Sequence, residues 1–166
     1  MWHKKEKSIL ISTWIISIIL LLLFVPKDKI RHAQVSFLFK QTVTWIFGLL
    51  VVKYDLIEYP VRFFKKVNKT SFTFEYMVYP ALCALFNLYY PEKRNNYIKG
   101  LYYIFHSSLI TGFEVYAQKF TKLIKYKNGW KWYWSYSTIM FTYFLSRLYY
   151  KWFFKEEYKE SPKTSI

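Results

Sequence analysis

The chain has 166 residues, 54% hydrophobic and 24% aromatic, with a formal charge of +15. Its mean hydropathy of +0.02 would suit a soluble protein, but the average hides segregation, because lysines and arginines fall between long apolar runs. The bases are spread over every connector rather than gathered on one face, which sets aside nucleic-acid binding and leaves membrane anchoring and orientation as the use of the charge. Cys83 is the single cysteine, so an intrachain disulfide is excluded.

The first apolar run, 8–25, is long enough for a bilayer core of about 30 Å. Lys4, Lys5 and Lys7 precede it as in a signal peptide, but FVPKD offers no small-residue cleavage pattern, so an uncleaved span is expected. A connector at 26–34 leads to the second run, 35–52, which carries Lys40 and Gln41. Lys40, Thr44 and Gly48 share one helical face, and small and polar residues turn such a face into a bundle. Lys40 is expected to snorkel to its nearer membrane face.

Residues 55–69, DLIEYPVRFFKKVNK, are two-sided at a helical period. The spacing predicts an amphipathic interfacial helix with Phe63 and Phe64 inserted and Arg62, Lys65, Lys66 and Lys69 facing anionic lipid. The competing expectation is a loop helix packed on its own protein. Pro60 opposes helix at Tyr59.

The third run, 72–90, contains Pro80, which is expected to kink it, with Glu75 near its start and Asn87 near its end. A polar turn at 91–96 precedes the fourth run, 97–118. There Tyr103, Ser107, Thr111, Glu114 and Gln118 form a polar stripe that should face the interior. A basic loop ends in the turn signal Asn128–Gly129, followed by the aromatic belt Trp130, Trp132, Tyr133 and Trp134. The fifth run, 133–150, carries Ser135, Thr138, Thr142 and Ser146 on one face, and Arg147 within snorkelling reach of the interface. A charged tail, 151–166, completes the chain.

The fold class predicted is therefore an all-α integral membrane helix bundle, one membrane domain of five transmembrane helices plus the interfacial helix. Five crossings put the termini on opposite sides. With the N-terminus cytoplasmic, inner segments hold thirteen bases and outer segments ten, the sense that the positive-inside rule favours.

Glu75 lies early in the third span and Glu114 late in the fourth, so both should sit toward the face carrying 55–69. Lys40, Asn87 and Arg147 should lie toward the other. Two readings of the acids stand side by side. Glu75 and Glu114, lined by Ser107, Thr111 and Gln118, form a carboxylate site for a cation or proton; or each acid reaches the interface and pairs locally. His3, His32 and His106 lack ligand spacing, so no metal site and no cofactor is expected. No phosphate loop, nucleophile elbow or paired Asp motif marks an enzyme.

The phrases LIEYPVR at 56–62, TSFTFEYMVYPALCALFNLYYP at 70–91 and NGWKWYWS at 128–135 resemble a family of small multi-span membrane proteins of spore-forming bacteria, the CBO-type proteins of unknown function. The resemblance covers most of 35–150 and implies a bacterial plasma-membrane helix bundle of about this size, with no catalytic residue to carry over. The function expected is a non-enzymatic membrane component that binds a partner protein, lipid or small ligand in the polar seam of spans three to five. It would meet the lipid bilayer and either a membrane protein partner or further copies of itself. The alternative is a small channel or transporter built on the intramembrane carboxylates.

Overall fold

The computed structural model describes residues 4–155. Five α-helices carry the fold, joined by short connectors and one two-stranded bridge. Helix α1, Lys4–Phe24, runs uninterrupted to Pro26. Pro26 then starts a 3-10 turn at Lys27–Lys29, with Lys29 N–H donating to Pro26 O at 2.9 Å. Helix α2, Ile30–Lys53, follows at once. The connector is thus shorter than 26–34, because nothing in Ile30–Gln34 breaks a helix once the proline is passed.

The third helical segment is the irregular one. It opens with a π-turn at Phe74–Val78 and continues as α3, Tyr79–Leu88, with Pro80 in its first turn. Tyr79 N–H donates to Phe74 O, five residues back. In that register the next donor, to Glu75 O, would be residue 80, and proline has none. The Glu75 carbonyl is taken up instead by α2, where Thr44 Oγ1 donates to it at 3.0 Å. Pro80 therefore widens the helix and frees a carbonyl that a neighbouring helix satisfies.

Helix α4, Asn96–Phe120, is capped by Asn95, whose side chain accepts from Ile98 N–H at 3.0 Å. Helix α5, Trp132–Phe153, runs past residue 150 into the expected tail, of which 156–166 lie outside the described residues. The α2–α3 contact is the most extensive helix pairing.

The interfacial helix at 55–69 is not formed. Ile57–Glu58 is instead a short strand, β1, paired antiparallel with β2, Lys125–Tyr126, in the register Ile57 to Tyr126 and Glu58 to Lys125. The physical reasons are local. Asp55 and Phe64 take positive φ, 51° and 57°, which no α-helix contains, and Pro60 removes a donor. Ile57 and Tyr59 are buried while Glu58 between them is not, a period of two rather than 3.6. Further bonds lock the two loops into one cap: Lys127 N–H to Leu56 O at 2.9 Å, Val61 N–H to Lys122 O at 3.2 Å, and Lys127 Nζ to both Asp55 (3.2 Å) and Glu58 (3.1 Å). Asn128 and Gly129 make the tight turn that returns the chain, at φ 45° and 79°.

The distribution of residues is inverted relative to a water-soluble bundle. Lys40, Thr44, Glu75, Asn87, Glu114, Ser135, Thr142 and Arg147 are buried, whereas Leu22, Leu23, Phe105, Leu109, Phe141 and Trp152 are at least half exposed. Two apolar clusters fill parts of the interior. One, under the cap, holds Leu10, Ile57, Tyr59, Phe74 and Leu123; the other holds Cys83, Phe86, Ile110, Ile139 and Tyr143. Helices Lys4–Phe24 and Lys27–Lys53 are long and apolar enough to cross a membrane.

Candidate functional site: a charged cavity under the loop cap

A cavity of about 80 Å³ lies beneath the cap, between α2, α3, α4 and α5. Its polar lining is Lys40 and Thr44 from α2, Glu75 and Tyr79 from the third segment, Glu114 from α4, Ser135, Thr138 and Thr142 from α5, and Tyr59 from the cap. Ile57 and Trp130 complete the roof. At roughly 30 Å³ per molecule this is room for two or three waters or one small ion, and too little for a lipid headgroup.

Glu75 is 2% exposed. Its Oε2 accepts the Thr70 hydroxyl at 2.6 Å, while Oε1 is buried and has no partner. The carboxylate fits because residue 48 is glycine: a Cβ there would stand 2.5 Å from Glu75 Cδ and 2.9 Å from Oε2, and closer still to Oε1. Glu114 is 6% exposed, and its Oε1 accepts from Ser135 Oγ at 2.6 Å and from Tyr126 Oη at 2.9 Å. Trp130 Nε1 donates to Ser135 Oγ at 2.9 Å, so the aromatic belt holds the serine that holds the acid.

Lys40 does not snorkel. It is 2% exposed, donates from Nζ to Thr142 Oγ1 at 2.6 Å, and sits 4.4 Å from the centroid of the Tyr143 ring. It shares the cavity with both glutamates rather than lying toward the opposite face.

Outside the helices, Tyr59 and Tyr126 hold their protons strongly. Burial pushes both phenols up, reinforced at Tyr59 by the charges of Glu75 and Glu114 and at Tyr126 by Glu114.

Of the remaining seam candidates, Ser107 and Thr111 are buried, with hydroxyls that find no partner, but neither lines the cavity. Gln118 is half-buried beyond it. Tyr103 packs on Phe86 at 5.0 Å and lines a separate outer groove with Tyr136 and Phe144.

The proposed lipid contacts divide. Arg62 turns inward, donating to the carbonyls of Tyr59, Asn68 and Lys65, and Phe63 packs on the cap core. Phe64, Lys65, Lys66 and Lys69 are exposed, with Val67 beside them 89% exposed.

At the other end of the bundle Arg147 is also internal, 4% exposed rather than snorkelled. It pairs with Glu92, donates to Asn87 O, and faces the Tyr90 ring at 4.2 Å. Burial works against the Glu92 charge. The Lys151 ammonium at 2.6 Å and the Arg147 guanidinium outweigh it and hold the carboxyl below its ordinary value.

Lys40, Thr44, Gly48, Tyr59 and Ser135 are the site residues that single-helix reasoning missed or assigned to packing. The signal available was the shared face of Lys40, Thr44 and Gly48, which pointed inward without naming what it met.

Fold and site together define an all-α bundle with a charged interior. No family model, curated protein or solved structure matches this chain.

Proposed function

We propose that this chain is a multi-pass membrane helix bundle, non-enzymatic, that binds one small monovalent cation between Glu75 and Glu114. The observation that carries the proposal is that two buried glutamates from different helices line one cavity of about 80 Å³, with an oxygen of Glu75 unpartnered. Two carboxylates and one ammonium leave a single negative charge, which one monovalent cation neutralises. The donors are carboxylate and hydroxyl oxygens, the ligands of hard cations. A water-filled site in which one glutamate carries a proton is the same site at lower pH.

The membrane setting is supported by the many large apolar residues exposed on the outward faces of the helices, such as Leu22, Leu23, Phe105 and Trp152. It is supported too by the aromatic residues at both ends of α5, and α4 and α5, at 25 and 22 residues, are long enough to span. A bacterial plasma membrane with the N-terminus cytoplasmic follows from the family resemblance and the charge balance. Phe64, Val67 and the lysines around them then meet headgroups on the site-bearing side.

Binding is tested by calorimetry with Na⁺, K⁺ and ammonium on protein in nanodiscs. Glu75→Gln and Glu114→Gln should each abolish the heat; binding unchanged by both substitutions removes this function. Because four helices share the cavity, a shift of any one would change access to it, which favours transport as the use of the site. Cation flux in proteoliposomes should then fall with the same two variants.

A further inference from the structure

We propose that the cation this cavity takes is organic: a short primary alkylammonium, methylammonium or ethylammonium in size, rather than an alkali ion. This rests on the function proposed above and deepens it by naming the ligand class.

The lining has two chemistries. Glu75 and Glu114 supply the charge, yet half of the side chains around the cavity are aromatic or branched aliphatic, among them Phe47, Tyr59, Tyr79, Trp130, Ile110 and Ile139. A bare alkali ion needs oxygens on every side to replace its hydration shell, and much of this wall offers hydrocarbon instead. A primary alkylammonium needs acceptors only at its N–H end and presents hydrocarbon to the rest of the site, the usual division of a small-molecule pocket. Ring faces attract its charge as well.

The hydrogen bonds point the same way. Four lining hydroxyls already donate within the fold: Thr44 to Glu75 O at 3.0 Å, Ser135 to Glu114 Oε1 at 2.6 Å, Thr138 to Trp134 O at 3.0 Å and Thr142 to Ile139 O at 2.9 Å. What stays open is an acceptor, Glu75 Oε1, buried with no partner. It requires a donor, and a primary ammonium brings three. Size limits the chain. At roughly 30 Å³ per water-sized group, about 80 Å³ holds the heavy atoms of methylammonium or ethylammonium but not those of tetramethylammonium.

The bundle already holds its own organic cations in this manner. The Lys40 ammonium lies 4.4 Å from the Tyr143 ring centroid and donates to the Thr142 hydroxyl, and the Arg147 guanidinium lies 4.2 Å from the Tyr90 ring centroid. Lys40 keeps its proton and its place throughout. With both carboxylates ionised, one bound alkylammonium then leaves the site neutral.

The experiment is calorimetry at neutral pH on protein in nanodiscs, with empty nanodiscs as the blank. The probes are Na⁺, K⁺, ammonium, methylammonium, ethylammonium, butylammonium and tetramethylammonium. Affinity should rise about fourfold per carbon from ammonium to ethylammonium, the effect of one buried methylene. It should fall for butylammonium and tetramethylammonium, and Na⁺ and K⁺ should bind more weakly than either short amine. Ile139→Ala, which enlarges the apolar wall, should move the optimum toward butylammonium.

Na⁺ or K⁺ binding as tightly as ethylammonium overturns the proposal, and so does a series with no dependence on chain length; either result leaves the cation site standing. An optimum unmoved in a folded Ile139→Ala protein overturns it too, since the hydrocarbon then lies elsewhere. If Ile139→Ala does not fold, the wild-type series decides alone. Failure of every probe to bind removes the cation site itself rather than its preference for an organic ligand.

Discussion

Gly48 and Glu75 occupy adjoining space so closely that the carboxylate lies where the first carbon of any side chain at 48 would be. Gly48→Ala must therefore push Glu75 out of the cavity. Alanine gains about 1 kcal/mol of helix propensity, and the clash costs about 1–3 kcal/mol. The expected outcome is a modest net loss of stability, read by denaturant titration in mild detergent, together with loss of cation binding. A stable variant that still binds would show that the carboxylate moves without consequence.

Thr44 tests the π-turn. Thr44→Val leaves the Glu75 carbonyl unsatisfied in a buried place and should cost about 1–3 kcal/mol, whereas Thr44→Ser should be nearly silent. Pro80→Ala restores the missing N–H. In that background the cost of Thr44→Val should fall to less than about half, and the double-mutant cycle measures the coupling. Additive costs would mean that Pro80 does not free that carbonyl.

Glu92 gives the acid limb of stability. Its carboxyl is held below its ordinary value near 4.5. Its contribution is therefore present above that value in the folded protein and is lost as pH falls through the depressed one. Thermal melts between pH 3 and about 7 should show wild type losing stability on the acid side. Glu92→Gln should start lower at neutral pH and lose less, because Arg147 and Lys151 have already lost their partner.

The cap gives the alkaline limb. Tyr59 and Tyr126 are raised above the ordinary phenol value, so their contribution is complete below about pH 10 and is lost as pH climbs beyond it. Tyrosinate absorbance from these two residues should appear only as the cap opens. Tyr59→Phe should delay that opening, and Tyr126→Phe should weaken the hold on Glu114 by removing one of its hydroxyl donors while Ser135 remains.

Cys83 is fully buried and donates to Ser146 Oγ at 3.0 Å. It should resist maleimide in the folded protein and react only after denaturation. Rapid labelling in native detergent would mean that the centre of the bundle opens readily.

What could be read from the sequence was what one helix carries by itself. The apolar runs gave five helices, and the helical positions of Glu75 and Glu114 pointed to one end of the bundle, that of 55–69. What depends on distant partners was not legible. Lys40 reads as a snorkelling residue because its partner Thr142 lies 102 positions away. Residues 55–69 fit a helical wheel, but their conformation is set by pairing with 125–126 and by positive φ at Asp55 and Phe64. Pro80 was visible as a kink, while the carbonyl it frees shows only once α2 stands beside it. Ser107 and Thr111 carry the right chemistry on the right face, yet the cavity passes them by, because α4 lines it with Ile110 and Glu114 alone.

The irregular segment Phe74–Leu88 rises only roughly 22 Å, well short of the 30 Å or so of hydrocarbon that its longer neighbours match. On the membrane placement proposed above, a segment this short, most of it enclosed by its neighbours, would leave the π-turn nearer to headgroups and water than the ends of the longer helices are. An ion would then have a shorter electrical distance to travel to reach Glu75.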